Sequence, residues 1–103
     1  PLFIVMGHEG CGAVQAAIAT KFHGAQQKSR INLLLENILP ALDGLDENLA
    51  PDALMHSAVE ANVRFTVRAL LETPEAKANL ANSDMMLVGA IYDLESGCVR
   101  FLE

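Results

Sequence analysis

Leu2-Phe3-Ile4-Val5-Met6-Gly7-His8-Glu9-Gly10-Cys11-Gly12-Ala13-Val14 is the stretch on which the reading of this chain turns. Leu2 to Met6 is apolar at every position, the pattern of a strand inside a parallel sheet covered on both faces. Gly10-Cys11-Gly12 predicts a tight turn. Ala13 to Ala19 predicts a helix, with Val14, Ala17 and Ile18 on one face. The order is strand, glycine turn, helix. Open α/β sheets place ligands beyond the carboxyl ends of their strands, and the spacing sets His8 there. Cys11 falls at the start of the helix, where unpaired N–H groups and the helix dipole stabilise a thiolate, the form that binds metal. Two residues between His8 and Cys11 let imidazole and sulfur converge on one ion. Gly7, Gly10 and Gly12 let the backbone turn with no side chain in the way.

The residues alone leave three readings of this turn open: a metal site, a glycine-rich phosphate turn and a simple packing turn. The phosphate turn fits less well. Gly7 to Gly12 holds no Lys or Arg, and Glu9 would repel an anion.

Working outward, Ser29 to Leu42 predicts a second helical stretch, with Ile31, Leu34, Leu35, Ile38 and Leu42 at helical spacing and Pro40 kinking or ending it. Asp43 to Pro51 reads as a polar loop. Asp52 to Glu72 predicts the longest helix, about 30 Å at ~1.5 Å per residue. Met55, Val59, Val63, Val67, Leu70 and Leu71 form its inner stripe. Glu60, Arg64, Arg68 and Glu72 lie four apart on its outer face, spaced to pair. Thr73-Pro74-Glu75 starts a short helix: a capping hydroxyl, a proline at the first position, an acid in the first turn. That helix stops near Asn82-Ser83. Met85 to Tyr92 predicts a second buried strand, Asp93 to Gly97 a turn, and Val99 to Leu102 an antiparallel edge strand, because the link is too short for a crossover. The fold class is therefore α/β, a parallel sheet flanked by helices with a C-terminal antiparallel edge strand, in one domain over residues 1–103.

Composition excludes several classes. At 103 residues the chain makes one domain at most. A hydrophobic share of 51% against 19% charged supports a core and argues against a disordered tail. A net charge of −6 with one Tyr, four Phe and no Trp is a poor match to a nucleic-acid binder. No apolar run approaches the ~20 residues that cross a bilayer. Two Cys make no disulfide framework. The chain opens at Pro1 directly into an apparent buried strand, so further residues are expected upstream. These residues carry no targeting signal, and a cytoplasmic location is expected.

Three segments carry a resemblance. Ile4 to Val14, with Gly7-His8-Glu9-Gly10-Cys11-Gly12 at its centre, resembles the second zinc-binding segment of the β-class carbonic anhydrases. Ala58-Val59-Glu60-Ala61-Asn62-Val63 resembles that family's long helix. Val88 to Gly97, followed by Val99-Arg100-Phe101-Leu102, resembles its closing strand, turn and strand. The order is preserved across nearly the whole chain. The resemblance implies a zinc-dependent lyase interconverting CO2 and bicarbonate, with Zn2+ held by two Cys and one His. His8 and Cys11 match the His and the second Cys. The first Cys, with an Asp–Arg pair that orients the reacting hydroxide, comes in the family from a Cys-x-Asp-x-Arg segment. These residues contain no such segment, and Cys98-Val99-Arg100 lacks the Asp. Two of the usual zinc ligands alone predict weak binding, so this chain by itself is expected to be inactive. The missing segment would lie beside Leu2 to Met6, whose open edge is expected to be covered by upstream residues or another chain. The family assembles as homodimers or larger homo-oligomers. Two alternatives stand: a carbon disulfide-type hydrolase on the same scaffold, and a short non-catalytic relative serving as a metal-binding or oligomerisation module.

The remaining chemistry-bearing residues have plainer expectations. His23 belongs to a surface loop and His56 to the surface of the long helix. Cys98 reads as a buried apolar thiol, and a Cys11–Cys98 disulfide is disfavoured. Tyr92 and Asp93 match the family's strand end and are expected to be structural. Glu9 adjoins the ligands, but neighbours on a turn point apart, so it is expected to be solvated.

Overall fold

A computed structural model describes residues 1–26 and 29–102, Ser29 by its backbone alone. The apolar run that opens the chain forms β1 (Leu2–His8), followed by α1 (Gly12–His23), α2 (Ser29–Leu35), a 3-10 turn (Leu39–Leu42), α3 (Pro51–Leu71), α4 (Pro74–Asn82), β2 (Met86–Tyr92) and β3 (Val99–Leu102). The sheet order is β1-β2-β3. β1 runs parallel to β2, with Leu2 opposite Met86 and His8 opposite Tyr92. β3 returns antiparallel, with Ala90 opposite Phe101. The parallel pair and the antiparallel closing strand follow the sequence reading.

The helical stretch from Ser29 breaks earlier than Pro40 itself. α2 ends at Leu35, and Pro40 sits near the start of the 3-10 turn. A proline ring collides with the carbonyl four residues back, here that of Glu36, and disfavours helical backbone in the residue before it. Within α2 Ile31 and Leu34 face outward, while Leu35 and Leu42 are fully buried.

α3 begins at Pro51, a residue that suits the first helical position because its missing N–H would have no partner there. Its buried residues are Leu54, Ala58, Val59 and Val63, with Met55 and Val67 partly buried against them. Leu70 and Leu71 are only half-buried. The buried stripe is thus wider than predicted, with Leu54 and Ala58 added to it, because α3 packs on the sheet with one side and on α1 and the 3-10 turn with another. On the outer side Arg64 donates to Glu60 at 3.2 Å, whereas Glu72 reaches forward to Lys77 at 3.6 Å. α4 starts as expected: the Thr73 hydroxyl accepts from the Ala76 N–H at 3.2 Å and donates to the Leu70 carbonyl at 2.7 Å.

Two glycines set the distance between α3 and the sheet. A Cβ on Gly7 would stand 2.6 Å from Val63 Cγ2, and one on Gly89 would stand 2.8 Å from Val63 Cγ1. No side chain fits at either place, so the helix lies directly on the backbone of β1 and β2.

The helices cover one face of the sheet. The opposite face carries Leu2, Ile4, Met6, Met86 and Phe101, which are 37–60% exposed. Ala90, small and flanked across the strands by Met6 and Phe101, is buried there, and Val88 and Tyr92 are partly buried. The expectation that Leu2 to Met6 is covered on both faces is corrected. In this chain β1 is an edge strand with one bare apolar face, and among the described residues nothing pairs with its outer edge. Among them, too, no helix is long and apolar enough to cross a membrane.

Candidate metal-binding turn

His8 is the last residue of β1 rather than the first beyond it. Its side chain is exposed. Its Nδ1 lies 3.0 Å from the Glu9 carbonyl oxygen. A carbonyl only accepts, so Nδ1 is the donor, and in the neutral tautomer that fits this bond Nε2 keeps its lone pair. Ligating histidines are commonly held in this way, with one nitrogen donating to a carbonyl and the other left for the metal.

The turn after His8 needs Gly10, whose φ of +68° lies in the left-handed region. Gly7 is required by the close approach of α3. At Gly12, the first residue of α1, a side chain would meet open space, so that glycine is not demanded by the turn. Cys11 is the N-cap of α1, with φ −61° and ψ 118°. Its carbonyl accepts the first helical bond from the Gln15 N–H at 3.0 Å. Its side chain makes no capping bond, and its thiol is free and half-buried against the core. α1 has no acid in its first turn, so no carboxylate of that turn lies beside this sulfur.

An imidazole nitrogen and a thiolate are donors that suit zinc. They make two, and a protein zinc site takes three or four. Among the described residues no group of three or more His, Cys, Asp and Glu converges to hold a metal. The donor chemistry fits the ion, and the donor set within this chain is incomplete. A cleft of about 520 Å3 lined by Gly10, Gln15, Ile18, His23, Asp52 and Met55 lies beside the turn. His8, with Met6, Tyr92 and Leu94, lines a shallower depression at the sheet's end.

The other candidates separate. His23 is exposed, as expected, but it is the last residue of α1 rather than part of a loop. Cys98 is exposed and free, not buried: it lies in the turn before β3, outside the helix-covered face. Asp93 holds that turn, accepting from the Glu95 N–H and the Ser96 hydroxyl, both at 3.0 Å. These bonds keep its carboxyl below the usual range.

The residue that sequence reasoning missed is Glu9. It is not simply solvated. Its carboxylate Oε1 lies 3.0 Å from His56 Nδ1 on α3. His56 Nε2 in turn lies 3.3 Å from Arg100 Nη2 and 3.6 Å from Glu60 Oε2. Arg100, on β3, also reaches Glu60 Oε2 at 3.4 Å. Burial pushes the Glu60 carboxyl up, but the Arg64 hydrogen bond and the Arg100 charge outweigh it and hold the group below its ordinary value. The only sequence signal for this cluster was the four-residue spacing of His56, Glu60 and Arg64 on one helix face.

The architecture matches solved β-carbonic anhydrases. A Coccomyxa β-carbonic anhydrase in complex with acetazolamide superposes with a TM-score of 0.85 at 25% identity, covering 98% of this chain and 46% of that one. One of two tetrameric β-carbonic anhydrases from Sordaria macrospora superposes with a TM-score of 0.82 at 16% identity, covering 98% and 51%, a likeness of fold. The fold is that of a β-class carbonic anhydrase. Residues 1–99 match the carbonic anhydrase family model, and the chain belongs to that family. Carbonic anhydrase 2 of Mycobacterium tuberculosis is 28% identical over 103 residues, 94% of this chain and 46% of the relative. The chain spans about half the length of the curated relatives it matches.

Proposed function

We propose that the protein carrying this chain interconverts CO2 and bicarbonate with zinc, and that His8 and Cys11 are two of the zinc's protein ligands. The observation that supports this best is the His8 ring. Its Nδ1 is committed to the Glu9 carbonyl, on a turn that leads straight to an uncapped thiol at a helix N-terminus. Zinc, when bound, supplies the Lewis acidity that generates a nucleophile from water near neutral pH. The chain's own residues do the holding. The Glu9 carbonyl accepts from the His8 ring, Gly10 makes the left-handed turn, and Cys11 stands at the start of α1 with its thiol uncapped. The reading requires at least one further thiolate and an acid–arginine pair from a Cys-x-Asp-x-Arg segment, which these 103 residues do not contain. The 103-residue piece alone is therefore without CO2 hydration activity. The functional protein is a homo-oligomer, in line with the tetrameric description of the Sordaria relatives.

Stopped-flow CO2 hydration tests this. The intact protein is expected to catalyse the reaction, and Cys11→Ala and the isolated piece to run at the buffer rate. Catalysis by the isolated piece, or an inactive intact protein loaded with zinc, would overturn it.

A further inference from the structure

Glu9 is held at three points. Its N–H donates to the Tyr92 carbonyl at 3.0 Å, extending the β1–β2 ladder by one bond. Its own carbonyl takes the His8 Nδ1 proton at 3.0 Å. Its carboxylate meets His56 Nδ1 at 3.0 Å. His56 is held in turn. Arginine has no acceptor, so towards Arg100 Nη2, 3.3 Å away, His56 Nε2 is the acceptor. Nδ1 then carries the proton and aims it at Glu9. One neutral tautomer satisfies both contacts. A continuous run of polar contacts thus leads from β3 through α3 to the turn between His8 and Cys11.

We propose that Glu9, locked by His56, is a positioning residue that fixes the His8–Cys11 turn for metal binding. The proposal rests on the reading of His8 and Cys11 as zinc ligands. Its physical basis is the freedom of the turn. Gly10 and Gly12 have no neighbours where a Cβ would be, and glycine backbone loses more freedom on ordering than any other. Glu9 is one of only two residues between the ligands, and the other is Gly10. Among the described residues its side chain is the polar tether that ties this segment to a long helix. Release of that tether lets the Glu9 carbonyl drift, and with it the His8 ring. The ordering cost then falls on metal binding. The pair is partly exposed, 48% at His56 and 32% at Glu9, so its contribution to global stability is small. Its effect is local.

The test is the zinc affinity of the intact protein, read by competition with a chromophoric chelator, beside thermal melts of the metal-free form. His56→Ala and Glu9→Ala are each expected to weaken zinc binding about tenfold, the usual scale for losing a group that orients a metal ligand. The melting temperature is expected to stay near that of the unaltered protein. The double variant is expected to be no weaker than either single one, because both remove the same contact. His56→Gln keeps an N–H for Glu9 and is expected to recover most of the affinity. Unchanged zinc affinity in both single variants, or losses that multiply in the double variant, would overturn the positioning role. Cys11→Ala separates the two ideas. If it binds zinc as well as the unaltered protein, the ligand reading fails. If it loses zinc while the Glu9 and His56 variants keep theirs, the ligand reading stands and the positioning role fails.

Discussion

On one side of the sheet Val63 of α3 presses onto Gly7 and Gly89 so closely that neither position has room for a methyl group. On the other side Leu2, Ile4, Met6, Met86 and Phe101 face outward uncovered. Both faces carry apolar residues, and their surroundings are opposite. Apolarity in a strand shows only that something is meant to lie against it. Whether that partner belongs to the same stretch of chain depends on the elements available to fold back. Here α3, 21 residues long, spans the helix side, and no described element reaches the other.

This contrast can be broken from either side. Leu42→Ala empties a fully buried position between the 3-10 turn and α3, and a loss of about 2–5 kcal/mol is expected in denaturant unfolding. Gly89→Ala forces a methyl group against Val63. About 1–3 kcal/mol is expected to be lost, with part recovered when Val63→Ala is added, since the smaller partner makes room. Glu60→Gln removes the charge that joins α3 to β3 and is expected to cost under about 1 kcal/mol. The same group predicts a pH dependence. Its folded-state carboxyl lies below the ordinary value, so its contribution is complete above that ordinary value and fades as pH falls through the lower, folded one. Glu60→Gln is expected to flatten that part of an acid titration, and an unaltered curve would count against the Arg64 and Arg100 contacts. Met86→Ser, on the bare face, is expected to shift stability of the 103-residue chain by no more than about 0.5 kcal/mol and to reduce self-association in light scattering. A large loss there would show that the face is covered after all.

Much of this was legible from residue order. β1, the glycine turn, α1, α4 and the β2–turn–β3 hairpin all announce themselves locally, by apolar runs, a capping threonine and turn residues. The errors arise where contacts join distant positions. Leu54 and Ala58 escaped notice because α3 buries two sides, and a single stripe allows for one. Cys98 was assigned to the interior on residue type, whereas its place in the turn leaves it exposed. Glu9 was judged by its neighbours in sequence, but His56, on α3, decides its surroundings. His8 and Cys11 could be proposed from residue order because they end β1 and cap α1 on either side of one local turn. The groups that would complete a site with them cannot be read from residues that do not include them.

The central claim is that His8 nitrogen and Cys11 sulfur grip one zinc ion. Zinc K-edge X-ray absorption of the intact protein measures this directly. The account predicts about one zinc per chain, with nitrogen near 2.0–2.1 Å and sulfur near 2.3 Å, and a weakened sulfur shell in Cys11→Ser. A spectrum without sulfur, or one that Cys11→Ser leaves unchanged, would contradict it.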